Sequence, residues 1–146
     1  MHITRYTDFS LRVLIYLAVQ EDDRLATIQE IADSYDISKN HLMKVVHQLN
    51  KKGYIETIRG KKGGMRLQMA PEDINIGILV RETEQDLSLV ECFTSKEACA
   101  ITPVCGLRAM LGEALAAFLG TLEKYTLADV IQDNHRPQLL RLLQIA

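Results

Sequence analysis

Residues Thr27 to Met69 set two helical patterns around a tight turn, followed at once by two strand patterns around a glycine-rich basic loop. No other feature of the chain restricts the fold as much. Thr27 with Glu30 three residues on has capping-box spacing, and Ile28, Ile31 and Ala32 give the short helix that follows one apolar face. Tyr35-Asp36 makes the turn, and Ser38 caps a longer helix that runs to about Lys52. Leu42, Val45, Val46 and Leu49 fall at i, i+3, i+4 and i+7, so one side of that helix packs inward. The other side presents Asn40, Lys44, His47 and Lys51, and the first turn adds Lys39 and His41. A cationic helix after a tight turn is the helix-turn-helix pattern, in which the N-terminal side chains of the second helix meet base edges in the major groove. Gly53 ends the helix. Tyr54 to Ile58 and Met65 to Met69 read as strands, joined by Arg59-Gly60-Lys61-Lys62-Gly63-Gly64. Glycines let this loop turn sharply while its cations stand at the tip, so the hairpin is a wing aimed at phosphate or the minor groove. The expected DNA-binding set is Ser38, Lys39, Asn40, His41, Lys44, Arg59, Lys61 and Lys62.

The net charge of −2 over 146 residues argues, taken alone, against nucleic acid. The distribution outweighs the sum. Eight cations stand against one acid, Glu56, between Ile37 and Met69, whereas Glu82 to Glu97 holds five acids against Lys96. With 47% hydrophobic and 25% charged residues the composition is that of a globular chain that builds a core without disulfides. Val13 to Val19 is too short to span a bilayer, and Met1 to Arg5 carries no apolar signal region, so a cytoplasmic protein with no membrane partner is expected. Upstream of the helix-turn-helix, Thr7 or Asp8 caps a first helix from Phe9 to Val19, apolar almost all round and therefore buried on more than one side. The fold class is mainly α with a small β-hairpin: a winged helix-turn-helix domain over residues 1–75, then residues 76–146 with a cofactor loop and dimerisation helices.

In the second part, Pro71-Glu72-Asp73 opens a segment in which Ile76 to Glu84 forms a short helix. All three cysteines, Cys92, Cys99 and Cys105, lie within fourteen positions of a Pro-containing polar loop. Such clustering in a cytosolic chain points to metal binding or reactive thiols. Gaps of six and five residues are wider than those of structural zinc sites and suit a larger object such as an iron–sulfur cluster. A fourth ligand is then another residue type or another chain's. From Gly106 to about Tyr125 runs the longest helix, with Leu107, Met110, Leu111, Ala114, Leu115, Phe118, Leu119 and Leu122 in one stripe and small Gly112, Ala116 and Gly120 beside it. Behind a compact head, this helix supplies a two-fold dimer interface. Leu139 to Leu143, after Pro137, is a further apolar stretch.

The order of winged helix-turn-helix, Gly60-x-x-Gly63-Gly64 wing, three-cysteine loop and long helix resembles the NsrR/IscR-type bacterial iron–sulfur transcription regulators over essentially the whole chain. Within that family it is most similar to the nitric-oxide-sensing branch. The resemblance implies a homodimer on palindromic double-stranded operator DNA, with one cluster per subunit, of the [4Fe-4S] type. It implies Cys92, Cys99 and Cys105 as ligands and Asp8, donated by the partner, as the fourth. Nitric oxide would be the signal and nitric-oxide detoxification genes the repressed targets. Asp8 also has an ordinary role, since Arg12 stands one helical turn away, and Arg12 is then a cluster-linked switch residue. Family members of the IscR type use a histidine three residues after the last cysteine; Arg108 stands there instead. Alternatives on the same fold are a regulator of iron–sulfur assembly and a thiol switch without a cluster. An enzyme with a reactive cysteine is the reading from another class, and it lacks a His/Asp constellation near the loop. A non-enzymatic function is therefore expected.

Overall fold

The computed structural model describes residues 1–145. Helix α1, Arg5–Val19, is central to it. Val13, Leu14, Tyr16, Leu17, Ala18 and Val19 are all buried, so the all-round apolar pattern does enclose this helix. Its start differs from expectation. Thr4, not Thr7 or Asp8, is the N-cap: the Thr4 hydroxyl accepts from the Thr7 amide, and Thr7 and Asp8 lie within the first two turns. The polar turn before Phe9 continues the helix because Thr4 satisfies its free amides.

Helix α2, Ile28–Tyr35, has the expected capping box, Thr27 and Glu30 bonding each other's backbone. Asp36, in the left-handed region at φ 54°, turns the chain toward α3, Lys39–Lys51. Ser38 holds the N-cap position of α3 but its side chain makes no capping bond, a correction to the expected role. Leu42, Val45, Val46 and Leu49 are buried as their spacing requires. At the other end the Gly53 amide bonds to Asn50 O and the Tyr54 amide to Leu49 O, the paired bonds of a Schellman stop.

The wing is an antiparallel pair, β1 (Ile55–Ile58) and β2 (Gly64–Leu67), with Ile55 opposite Leu67 and Ile58 opposite Gly64. The first strand lacks Tyr54 of its sequence pattern, and the second begins one residue early, at Gly64, and stops before Gln68-Met69. Gly60 takes φ 120° between them, a conformation that other residues reach only with strain. Ala26 exchanges two backbone bonds with Met65 and ties the hairpin to the chain entering α2.

Pro71–Asp73 forms a separate 3₁₀ turn, after which Asn75 caps α4, Ile76–Thr83, by accepting from the Ile78 amide. The long helix α5, Gly106–Leu122, stops three residues before Tyr125. Its foot meets the head of α4 at Gly77, where a methyl group would stand 2.6 Å from the Glu123 backbone nitrogen. Two short helices follow, α6 (Leu127–Val130) and α7 (Arg136–Leu142). They return to the first half: Arg136 donates to Gln20 O at 3.2 Å and Ser34 to Leu143 O at 2.7 Å. Leu119, Leu127, Leu143 and Ile145 thus join the same core as α1, α2, α3 and the hairpin. No helix among the described residues is long and apolar enough to cross a membrane.

Candidate nucleic-acid interface and cysteine site

The inward stripe of α3 fixes what its outer side shows. Ser38, Lys39, Asn40, Lys44, His47 and Lys51 are exposed, and so are Arg59, Lys61 and Lys62 in the wing. Arg66, by contrast, is engaged by Glu56 across the hairpin at 3.2 Å. The Tyr54 hydroxyl at the base of β1 donates to Glu82 on α4 at 2.6 Å. Burial first, and then Glu82, holds that hydroxyl well above its usual range. The first bond braces the hairpin and the second ties its base to α4. A groove of about 1190 Å³ beside α3, lined among others by His41, Lys44, His47 and Arg59, connects the recognition helix and the wing.

His41 departs from the other candidates. Its ring lies edge-on to Phe9 of α1 at 4.7 Å and is half-buried. The first turn of the recognition helix therefore rests on α1. Next to Phe9, Asp8 accepts from Arg12 Nε at 3.2 Å and Nη2 at 2.9 Å, as one-turn spacing suggests. The Arg12 guanidinium also lies 5.6 Å from the Phe9 ring centroid and 5.8 Å from that of Tyr35, whose hydroxyl donates to Arg12 O. One guanidinium thus joins Asp8, α2 and, through Phe9, the head of α3. Sequence spacing disclosed the Asp8–Arg12 pair; the aromatic contacts depend on how helices pack and carried no sequence signal.

The cysteine stretch is irregular apart from two 3₁₀ turns, Glu91–Phe93 and Thr102–Val104. Cys92 sits in the first turn, Cys99 is exposed between them, and Cys105 holds the N-cap position of α5. None is in a disulfide. Among the described residues no three Cys, His, Asp or Glu side chains gather closely enough to hold a metal ion. In kind the donors still suit an iron–sulfur cluster: three unpaired thiols in a loop without a core of its own, ending at a helix N-terminus that favours negative charge. Arg108 bonds to the Cys92 carbonyl, a contact that sequence reading did not anticipate.

The stripe of α5 is largely uncovered. Leu119 is buried, whereas Leu107, Met110 and Phe118 are 60%, 66% and 46% exposed, and Ile101 and Val104 extend the patch into the loop. A run of large apolar side chains on one face marks an interaction surface.

The family model of Rrf2, described as an iron-dependent transcriptional regulator, matches residues 3–133. The chain is 53% identical over 146 residues to the "HTH-type transcriptional regulator NsrR" of Bacillus subtilis (strain 168), covering 99% of both chains. It is 56% identical over 135 residues to the NsrR of Bacillus licheniformis, covering 92% of this chain and 94% of that one. Among solved structures, CymR of B. subtilis, described as the global cysteine regulator, superposes with a TM-score of 0.71 at 25% identity over 89% of this chain and 95% of that one. An IscR from T. potens shares the fold, with a TM-score of 0.75 at 20% identity over 94% and 91% of the two chains. These relatives are named as regulators and not as enzymes. With a winged helix-turn-helix whose basic face is free and relatives this similar over full length, the chain belongs to the Rrf2 family of DNA-binding transcription regulators.

Proposed function

We propose that this regulator is a cytoplasmic, homodimeric repressor that senses nitric oxide through a [4Fe-4S] cluster held by Cys92, Cys99 and Cys105 of one subunit and Asp8 of the other. Residues 1–75 read a palindromic operator and residues 76–146 hold the cluster and the dimer seam. The observation that carries this reading is the pairing of a three-thiol loop with a carboxylate whose present partner is weak. The Asp8–Arg12 pair is more than a third exposed on both sides, so it contributes only about 0.5 kcal/mol. Iron ligation can outcompete it. The division of the set explains only the missing fourth donor; the three thiols of one chain are not gathered among the described residues, so the loop must close to bring them together.

When bound, the cluster supplies iron with which nitric oxide reacts. The remaining steps belong to the chain. Asp8 cannot give both oxygens to Arg12 and also ligate iron. Its choice of partner moves or frees the Arg12 guanidinium, which contacts Phe9 and Tyr35, and Phe9 in turn supports His41 at the head of α3. Ligation by Asp8 also ties α1 of one subunit to the loop of the other, and so sets the spacing of two recognition helices that must fit half-sites about one helical turn apart. That is a two-state element biased at one carboxylate. The derepressed genes are those for nitric-oxide detoxification, as the resemblance implies.

The test is the visible spectrum of protein purified without oxygen, followed through a nitric-oxide titration alongside binding to a palindromic duplex. Brown protein that bleaches and releases the duplex in parallel is expected. Colourless, iron-free protein from an iron-replete preparation overturns the cluster. The ungathered thiols favour one second reading, a thiol switch on the same fold. It predicts release of DNA by disulfide-forming oxidants and restoration by a reductant, with no iron present.

A further inference from the structure

Arg108 occupies the first turn of α5, three residues after Cys105, where the helix dipole disfavours a cation. None of the ion pairs among the described residues includes it. A charge placed against the local rule without a carboxylate partner needs another reason. Its contacts supply one. Arg108 Nε donates to the Cys92 carbonyl at 3.2 Å, and the guanidinium stands 5.9 Å from the Phe93 ring centroid. Both partners belong to the Glu91–Phe93 turn. The turn's other bonds are local: Phe93 to Val90, and Thr94 and Ser95 to Glu91. Apart from the Cys105 amide on Thr102 O at the start of α5, Arg108 makes the only hydrogen bond among the described residues that joins residues 91–104 to a helix.

We propose that Arg108 is the positioning residue of the cysteine loop, anchoring the Cys92 turn to the helix end that carries Cys105. Residues 91–104 bury no apolar side chain fully, so packing does not hold them. The guanidinium does this in two ways, through a charge-assisted bond to a backbone carbonyl and through stacking on Phe93. The first and last thiols are thereby placed at one helix end, while Cys99 stays on the free arc between them. Ligand capture then closes one mobile thiol onto two placed ones. The consequence for cluster retention rests on the proposed function above; the anchoring itself does not.

The experiment compares full-length wild type with Arg108→Ala and Arg108→Lys by hydrogen exchange at Phe93, Thr94 and Ser95 in cluster-free protein. In Arg108→Ala these amides are expected to exchange about tenfold faster, as removal of a charge-assisted bond implies. Exchange in α1 and α3 stays as in wild type, and Arg108→Lys restores part of the protection. Wild-type exchange at the three amides in Arg108→Ala overturns the anchor. Cluster-loaded proteins are then challenged with an iron chelator, where loss from Arg108→Ala is expected to be about tenfold faster. Equal loss rates overturn the part played in ligand capture. A wild type that takes up no cluster sinks the function proposed above, while the exchange data still decide whether Arg108 anchors the loop.

Discussion

In the proposed mechanism much turns on Asp8, although its pair with Arg12 carries little energy. Their ion pair is exposed and contributes about 0.5 kcal/mol, yet the same carboxylate is the proposed fourth ligand. Thiolates are the soft ligands that clusters favour, and a carboxylate is a poorer match. Replacing Cys92, Cys99 or Cys105 with Ala should therefore abolish stable cluster binding. Asp8→Ala keeps three ligands and should lose operator affinity by a larger factor than it loses iron per chain. Iron content and duplex affinity measured on the same samples check this, and normal affinity with an unchanged nitric-oxide response would leave Asp8 as part of an ion pair only. Tyr35 stands against the same guanidinium. Burial pushes its hydroxyl up to about 12 from an ordinary 10.0, although Arg12 pulls it down. The raised value means that the fold prefers the neutral phenol. Its contribution is complete below about pH 10 and is lost as the pH rises through about 12. Denaturation midpoints at pH 9 and pH 11 should fall further for wild type than for Tyr35→Phe; equal falls would show that Tyr35 is not the group responsible.

At the scale of elements, the proposed contacts to DNA divide between the recognition helix and the wing. Lys61 and Lys62 stand exposed on a loop held by two four-residue strands, a placement expected to bring them to phosphate rather than to base edges. Lys61→Ala or Lys62→Ala should weaken many duplexes alike and flatten the salt slope by about one unit for each phosphate no longer neutralised. Binding at several salt concentrations to operator and unrelated DNA measures both effects. Wild-type slopes would remove the wing from the interface. Asn40, exposed in the first turn of α3, should instead change base preference when replaced. His41 is a different case, because its ring supports the helix on Phe9 and its removal should shift the whole head of α3.

At the scale of the whole molecule, a single chain leaves the apolar face of α5 uncovered, and this face is the seam of the proposed dimer. Leu107, Met110 and Phe118 each leave about half or more of their surface to solvent, and covering them is worth roughly 1–2 kcal/mol apiece. Leu115 packs partly on its own core and Leu119 wholly, so a charge at either unfolds as well as dissociates. Phe118→Glu is the cleaner probe. It should give a folded monomer by sedimentation, with weak operator binding. A wild-type dimer would take α5 out of the seam.

Periodicity determined the helix-turn-helix, because a stripe at i, i+3, i+4 and i+7 must be buried and the remaining side must then face outward; the wing followed from two strand patterns on either side of a glycine-rich loop. Periodicity also determined the Asp8–Arg12 pair, which one helical turn brings together wherever the helix lies. Caps were less legible. Thr4, Thr7 and Asp8 are all good capping residues, and only the backbone's actual entry into the helix selected Thr4. The stripe of α5 was visible, but its exposure was not, since an apolar pattern looks the same whether it faces its own core or another subunit. The tertiary structure alone decided the long-range contacts: Phe9 on His41, Arg108 on the Cys92 turn, and the tail, through Leu143 and Ile145, on the core of the first half. Such contacts join residues far apart in sequence, and their partners are chosen by packing, which no local spacing encodes.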